Sequence, residues 1–173
     1  MKSIAIAVMI VCAGLVSISA AEVHAKISDV HLCCKGCVEG VEKAMAKVEG
    51  VKAEVDQDDG TVTLVAPDGA TAQKAADALV AAGYFGKSDD ASVKLNAVTG
   101  AKGEKVQSLK LEGVHLCCGK CVKAVDRAVK SVAGAKEHTA VKGAKSFEVT
   151  GDFNDQELMT ALQKEGLTGK VAK

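Results

Sequence analysis

Six of the seven cysteines fall into two matching runs. The first is Val30-His31-Leu32-Cys33-Cys34-Lys35-Gly36-Cys37-Val38. It returns 84 residues later as Val114-His115-Leu116-Cys117-Cys118-Gly119-Lys120-Cys121-Val122. Two cysteines three apart at a loop-to-helix junction can aim both sulfurs at one ion. The unpaired N–H groups and partial positive charge of the helix start favour the thiolate there. Soft thiolates select Cu(I), Zn(II) or Hg(II) over magnesium or calcium. Cys34/Cys37 and Cys118/Cys121 are therefore the primary candidate ligands. Cys33 and Cys117 are candidates for a third sulfur, and His31 and His115 for a nitrogen donor. In an extended segment His31 and Cys33 would face one way while Leu32 enters the core. Lys35 and Lys120 flank the sulfurs, either to offset thiolate charge or as solvated loop lysines.

The elements that position these residues also occur twice, and a long internal repeat constrains the architecture strongly. Residues 30–50 match 114–134 at the His, Leu and three Cys positions, then at Val38/Val122, Val41/Val125, Ala44/Ala128, Val48/Val132 and Gly50/Gly134. Apolar positions 38, 41, 44 and 48 recur at helical spacing, with Glu39, Glu42, Lys43 and Lys47 on the other faces. Each cluster thus opens an amphipathic helix that a glycine closes. In copy one, 51–56 and 61–66 read as strands around the Asp58-Asp59-Gly60 turn. Residues 71–82 read as an alanine-rich helix from a Thr71 cap, and Tyr84-Phe85 as the start of a last strand. Copy two repeats this with strands at 135–141 and 145–150, a helix over 154–165 with an Asn154/Glu157 capping box, and a strand at 167–171. The predicted fold class is α+β: two ferredoxin-like βαββαβ modules in tandem, over 27–86 and 106–173.

Between them, 87–105 is polar and rich in Gly, Ala and Ser, which predicts a flexible linker. A tether of ~19 residues spans roughly 25 Å, enough for the two clusters to meet and share ions. At the other end, Lys2, the apolar run 4–16 and the small residues 17–21 follow the layout of a secretory signal, predicted over 1–21, with Cys12 carried inside it. The expectation is an exported protein, periplasmic or secreted, with no membrane span once the signal is removed. An uncleaved anchor is the alternative. Charge is balanced at 22 basic and 22 acidic residues, and the only aromatics are Tyr84, Phe85, Phe147 and Phe153. Nucleic-acid binding through a basic, base-stacking surface is thereby excluded.

The chain resembles a tandem pair of heavy-metal-associated domains, the modules of copper chaperones, mercury-scavenging periplasmic proteins and metal-pumping ATPases. Their Gly-Met-x-Cys-x-x-Cys motif corresponds to Leu32-Cys33-Cys34-Lys35-Gly36-Cys37 and Leu116-Cys117-Cys118-Gly119-Lys120-Cys121. The resemblance covers 27–86 and 109–173, and Gly83-Tyr84 is similar to the family's Gly-Tyr before the last strand. It implies metal binding by Cys34/Cys37 and Cys118/Cys121. His-Leu replaces Gly-Met in both copies, and an added cysteine precedes each pair.

Two other readings compete. Structural disulfides suit an exported chain, yet three cysteines per module cannot all pair internally. A thiol-disulfide oxidoreductase would need a larger sheet and a cis-proline beside the site, and the one proline is Pro67. A degenerate interaction module with disulfide-bonded cysteines is a further alternative. No catalytic constellation stands out, so the expectation is a non-enzymatic scavenger, carrier or sensor. Its partners would be the metal ion, with Cu(I) leading and Zn(II) or another soft metal behind, and a metal donor or acceptor protein.

Overall fold

The computed structural model describes residues 21–172. The signal segment, apart from Ala21, lies outside the described residues, and so does Cys12. Module 1 runs β1 (Val23–Ser28), α1 (Lys35–Met45), β2 (Lys52–Asp56), β3 (Thr61–Ala66), α2 (Gly69–Ala81) and β4 (Lys87–Ser88). Module 2 runs β5 (Lys105–Glu112), α3 (Gly119–Lys130), β6 (Ala135–His138), β7 (Ser146–Asn154), α4 (Asp155–Lys164) and β8 (Lys170–Val171). Each forms an antiparallel four-stranded sheet, ordered β2-β3-β1-β4 and β6-β7-β5-β8. The expected α+β class with two ferredoxin-like modules is what the chain adopts.

The alternation of the central strands sends Ile27, Val62 and Leu64, or Leu111, Phe147 and Val149, beneath the helices, where all are buried. Helix α1 buries Cys37, Val41, Ala44 and Met45, and α3 buries Cys121, Ala124, Val125, Ala128 and Val129. Both therefore present the second cysteine of each pair on their core face. One continuous apolar cluster runs through both modules, with Tyr84 and Leu167 inside it.

Local details depart from expectation at the start of α2 and at Tyr84, while the cap of α4 falls at Asn154 as expected. The N-cap of α2 is Asp68, whose carboxylate accepts the Thr71 N–H at 2.7 Å, rather than Thr71 itself. Asn154 caps α4 through the N–H groups of Gln156 and Glu157. Tyr84 does not begin a strand of its own sheet. It pairs with Leu167 of the other module, and β4 follows three residues later.

The segment joining the modules is pinned rather than free. Val93 is buried in a cluster with Ala25, Ala66, Ala72 and Ala76, with Leu95 packed against it. Gln73 exchanges two hydrogen bonds with the Lys94 backbone. The Asp155 carboxylate accepts N–H groups from Lys102, Gly103 and Glu104. A polar composition concealed these few anchors.

Candidate metal centre

The sulfur clusters of the two modules are one cluster. Each lies at the entrance to a helix, in a loop that follows β1 or β5. His31, Leu32 and Cys33 lie beyond the end of β1, so the expected strand stops short of them. Leu32 and Leu116 nevertheless enter the core, at 4% exposure each. Cys34 and Cys118 are the N-caps of α1 and α3, with extended backbones at φ −164° and −150°. Cys37 and Cys121 lie one turn in and are fully buried, while Cys33, Cys34, Cys117 and Cys118 are half-buried.

Nine sulfur–sulfur contacts join the six thiols. Within modules, Cys33–Cys37 is 3.6 Å and Cys34–Cys37 3.8 Å, matched by Cys117–Cys121 at 3.7 Å and Cys118–Cys121 at 3.8 Å. Between modules, Cys33–Cys118 is 3.4 Å, Cys34–Cys117 3.5 Å, Cys37–Cys117 3.4 Å, Cys33–Cys121 3.7 Å and Cys37–Cys121 3.9 Å. Exchanging 33 with 117, 34 with 118 and 37 with 121 maps this set onto itself, so the centre has a local two-fold axis through the Cys37–Cys121 pair. All six thiols are free, and their separations far exceed the ~2.05 Å of a disulfide bond.

What holds the modules in this register is a short antiparallel pairing of 83–85 with 166–168. The Gly166 carbonyl accepts N–H groups from His31 (3.3 Å) and Phe85 (3.0 Å), and the Gly83 carbonyl accepts that of Thr168 (3.0 Å). Both glycines have positive φ, +89° and +72°. A side chain at Gly83 would run into the Gly113 carbonyl, and one at Gly166 into the backbone of Asp29 and His31. These helix-ending glycines therefore also admit the neighbouring module, a role that local sequence does not announce.

The histidines complete the wall. His31 lies within 4.8 Å of Cys33 and Cys121, as a metal-ligating group would. The Nε2 atoms of His31 and His115 are both buried without a hydrogen-bond partner. Tyr84 stacks on His115, with ring centroids 4.6 Å apart, and donates its hydroxyl to the Cys37 carbonyl at 2.8 Å. Lys120 donates to the Cys33 carbonyl across the module boundary at 3.2 Å, whereas Lys35 faces Glu39 in solvent. Asp58 and Asp59 form the β2–β3 turn, where the Asp56 carboxylate accepts both N–H groups.

Electrostatics follow from the crowding. Burial pushes the Cys33 and Cys117 thiols up. A hydrogen bond to Cys121, with burial behind it, does the same to Cys37. That bond lowers Cys121, which burial opposes and His31 assists. At Cys34 burial is outweighed by the Cys37 N–H and by thiol hydrogen bonds from Cys117, Cys118 and Cys37, leaving it at about 7. Burial also holds His115 below the usual imidazole range, opposed by Cys121. Six anions cannot coexist in so small a volume without a cation, so without one the cluster stays partly protonated.

The donor set fits such an ion. A triangle of sulfurs such as Cys34, Cys37 and Cys117 places each about 2.1 Å from the centre, close to the ~2.3 Å of a metal–thiolate bond. Four groups of three His or Cys ligand atoms close enough to hold a metal ion occur among the described residues, all within this cluster. The six cysteines singled out in the sequence and His31 all lie in these groups, whereas His115 is in none of them. The arrangement across the two modules was not visible there.

No protein-family model and no curated protein sequence matches the chain. Among solved structures it is similar to the N-terminal soluble domains of Bacillus subtilis CopA, at 15% identity, over 88% of this chain and 95% of that chain, with a TM-score of 0.34. At that identity and score the likeness decides nothing about site or cargo. The cysteine geometry carries the functional reading by itself.

Proposed function

We propose that this chain is an exported, non-enzymatic soft-metal-binding protein that scavenges, carries or senses Cu(I) with thiolates from both modules. One observation supports the reading above others: six unbonded cysteines converge within 3.4–3.9 Å contacts around a buried centre. An all-sulfur donor set favours a soft ion, and low coordination favours Cu(I) or Hg(II) over tetrahedral Zn(II). Among the described residues no helix is long and apolar enough to cross a membrane. Export rests on the signal-like segment 1–21. The half-buried cysteines at the mouth of the cluster suit ligand exchange with a donor or acceptor protein.

The test is an anaerobic titration of the reduced, signal-free chain with Cu(I) against a chromophoric chelator, with zinc in parallel. The expected result is tight Cu(I) binding that is lost when Cys34, Cys37, Cys118 and Cys121 are all replaced by serine. Failure to compete for Cu(I), with the thiols shown to be reduced, would leave a redox or interaction module instead.

A further inference from the structure

We propose that each Cys-x-x-Cys pair takes its third thiolate from the other module: Cys117 completes Cys34/Cys37, and Cys33 completes Cys118/Cys121. The inference deepens the soft-metal reading above and depends on it. Its ground is the pattern of contacts. Four triangles of sulfurs close with all three sides in contact, and each draws on both modules. Only two of the four contain a whole Cys-x-x-Cys pair. One is Cys34, Cys37 and Cys117, with sides of 3.8, 3.5 and 3.4 Å. The other is Cys118, Cys121 and Cys33, with sides of 3.8, 3.4 and 3.7 Å. These two share no sulfur, so both can be filled at once, and the local two-fold axis relates them.

The contacts favour the exchange. The adjacent sulfurs Cys33/Cys34 and Cys117/Cys118 lie within 4.8 Å of each other, yet neither pair is among the thiol contacts of the described residues. Cys33 instead reaches Cys118 at 3.4 Å and Cys121 at 3.7 Å, and Cys117 reaches Cys34 at 3.5 Å and Cys37 at 3.4 Å. The cysteine that precedes each pair is placed to serve its neighbour's pair. This accounts for a third cysteine in both copies, and it makes each bound ion a bridge between modules. The sequence alone assigned that cysteine to its own module.

Reciprocal variants decide the matter by anaerobic Cu(I) competition titration. In a Cys34→Ser/Cys37→Ser background one pair remains. Adding Cys33→Ser is expected to weaken it by about 100-fold or more, whereas adding Cys117→Ser changes it by less than about threefold. In a Cys118→Ser/Cys121→Ser background the order reverses, with Cys117→Ser the damaging change. A general loss of folding cannot produce that reversal. Because Cys37 and Cys121 are buried, the series is repeated on Cys34→Ser and Cys118→Ser alone, where the same order is expected. Equal effects of the two added changes, or Cys117→Ser damaging the Cys118/Cys121 site, would overturn the exchange while leaving the soft-metal reading intact. Absence of Cu(I) binding by the unaltered chain would overturn that reading itself.

Discussion

Each of the six cysteines has a distinct place, which makes their substitutions unequal. Cys37 and Cys121 each touch four other sulfurs and are fully buried. Cys37→Ser removes a sulfur from the Cys34/Cys37/Cys117 triangle and should lower Cu(I) affinity there by more than the about 10–100-fold typical of changing a group that only orients a ligand. His31→Ala, which empties a wall position beside Cys33 and Cys121, should fall within that smaller range. Chelator competition reads both. If His31→Ala matched Cys37→Ser, the imidazole would be a ligand of equal rank. The ligand types were legible in the sequence because Cys-Cys-x-x-Cys occurs twice at helix starts. Which sulfurs meet was not, because 84 residues separate the halves and no local pattern encodes their contact.

The elements were legible wherever periodicity was strong. β3 was read to the residue, since Thr61, Val62, Thr63, Leu64 and Val65 alternate between Asp58-Asp59-Gly60 and Pro67. The cap of α2 was misplaced by three residues because Asp68 and Thr71 are both good capping types, and only Asp68 takes up the extended conformation before the helix. The joining segment was read as free because its anchors lie in other elements. Asp155 is the chief of these, buried at the start of α4. Burial raises its carboxyl, but the N–H groups of Lys102, Glu104, Gly103 and Gln156 outweigh that and hold it below the usual carboxylate range. A group depressed on folding stabilises fully above its unfolded value of about 3.9 and loses that contribution as pH falls through the folded value. Asp155→Asn should therefore cost about 1–3 kcal/mol at neutral pH. The gap from the parent should narrow in acid, as urea melts at several pH values would show. A gap independent of pH would mean that the carboxylate charge is not what holds residues 102–104.

At the scale of the molecule, the centre exists because the pairing of 83–85 with 166–168 fixes the two modules face to face. Gly166 carries that contact, with φ at +72° and the Asp29 and His31 backbone against it. Gly166→Ala should destabilise the chain by on the order of 2 kcal/mol and also weaken Cu(I) binding, since the two triangles of sulfurs open together. Loss of stability with undiminished affinity would show that each module binds alone. Loading should stabilise the whole chain, by about 4 kcal/mol at a free Cu(I) level a thousandfold above Kd. A thermal melt with and without the ion, reversed by chelator, reads this directly. A melt unmoved by saturating Cu(I) would mean that the ion does not bridge the folded modules. The two grooves beside the cluster differ in charge. Asp29, Asp58, Asp59 and Glu165 outnumber Lys164 in the one at Cys33, while Lys145 and Lys170 face only Glu112 in the one at Cys117. Cation steering thus favours the Cys33 side. The measurement that bears most directly on a centre shared between modules is X-ray absorption at the copper edge of the Cu(I)-loaded chain. Three sulfur neighbours per copper is the expected result; two sulfurs per copper, each module holding its own ion by its own pair, would contradict it.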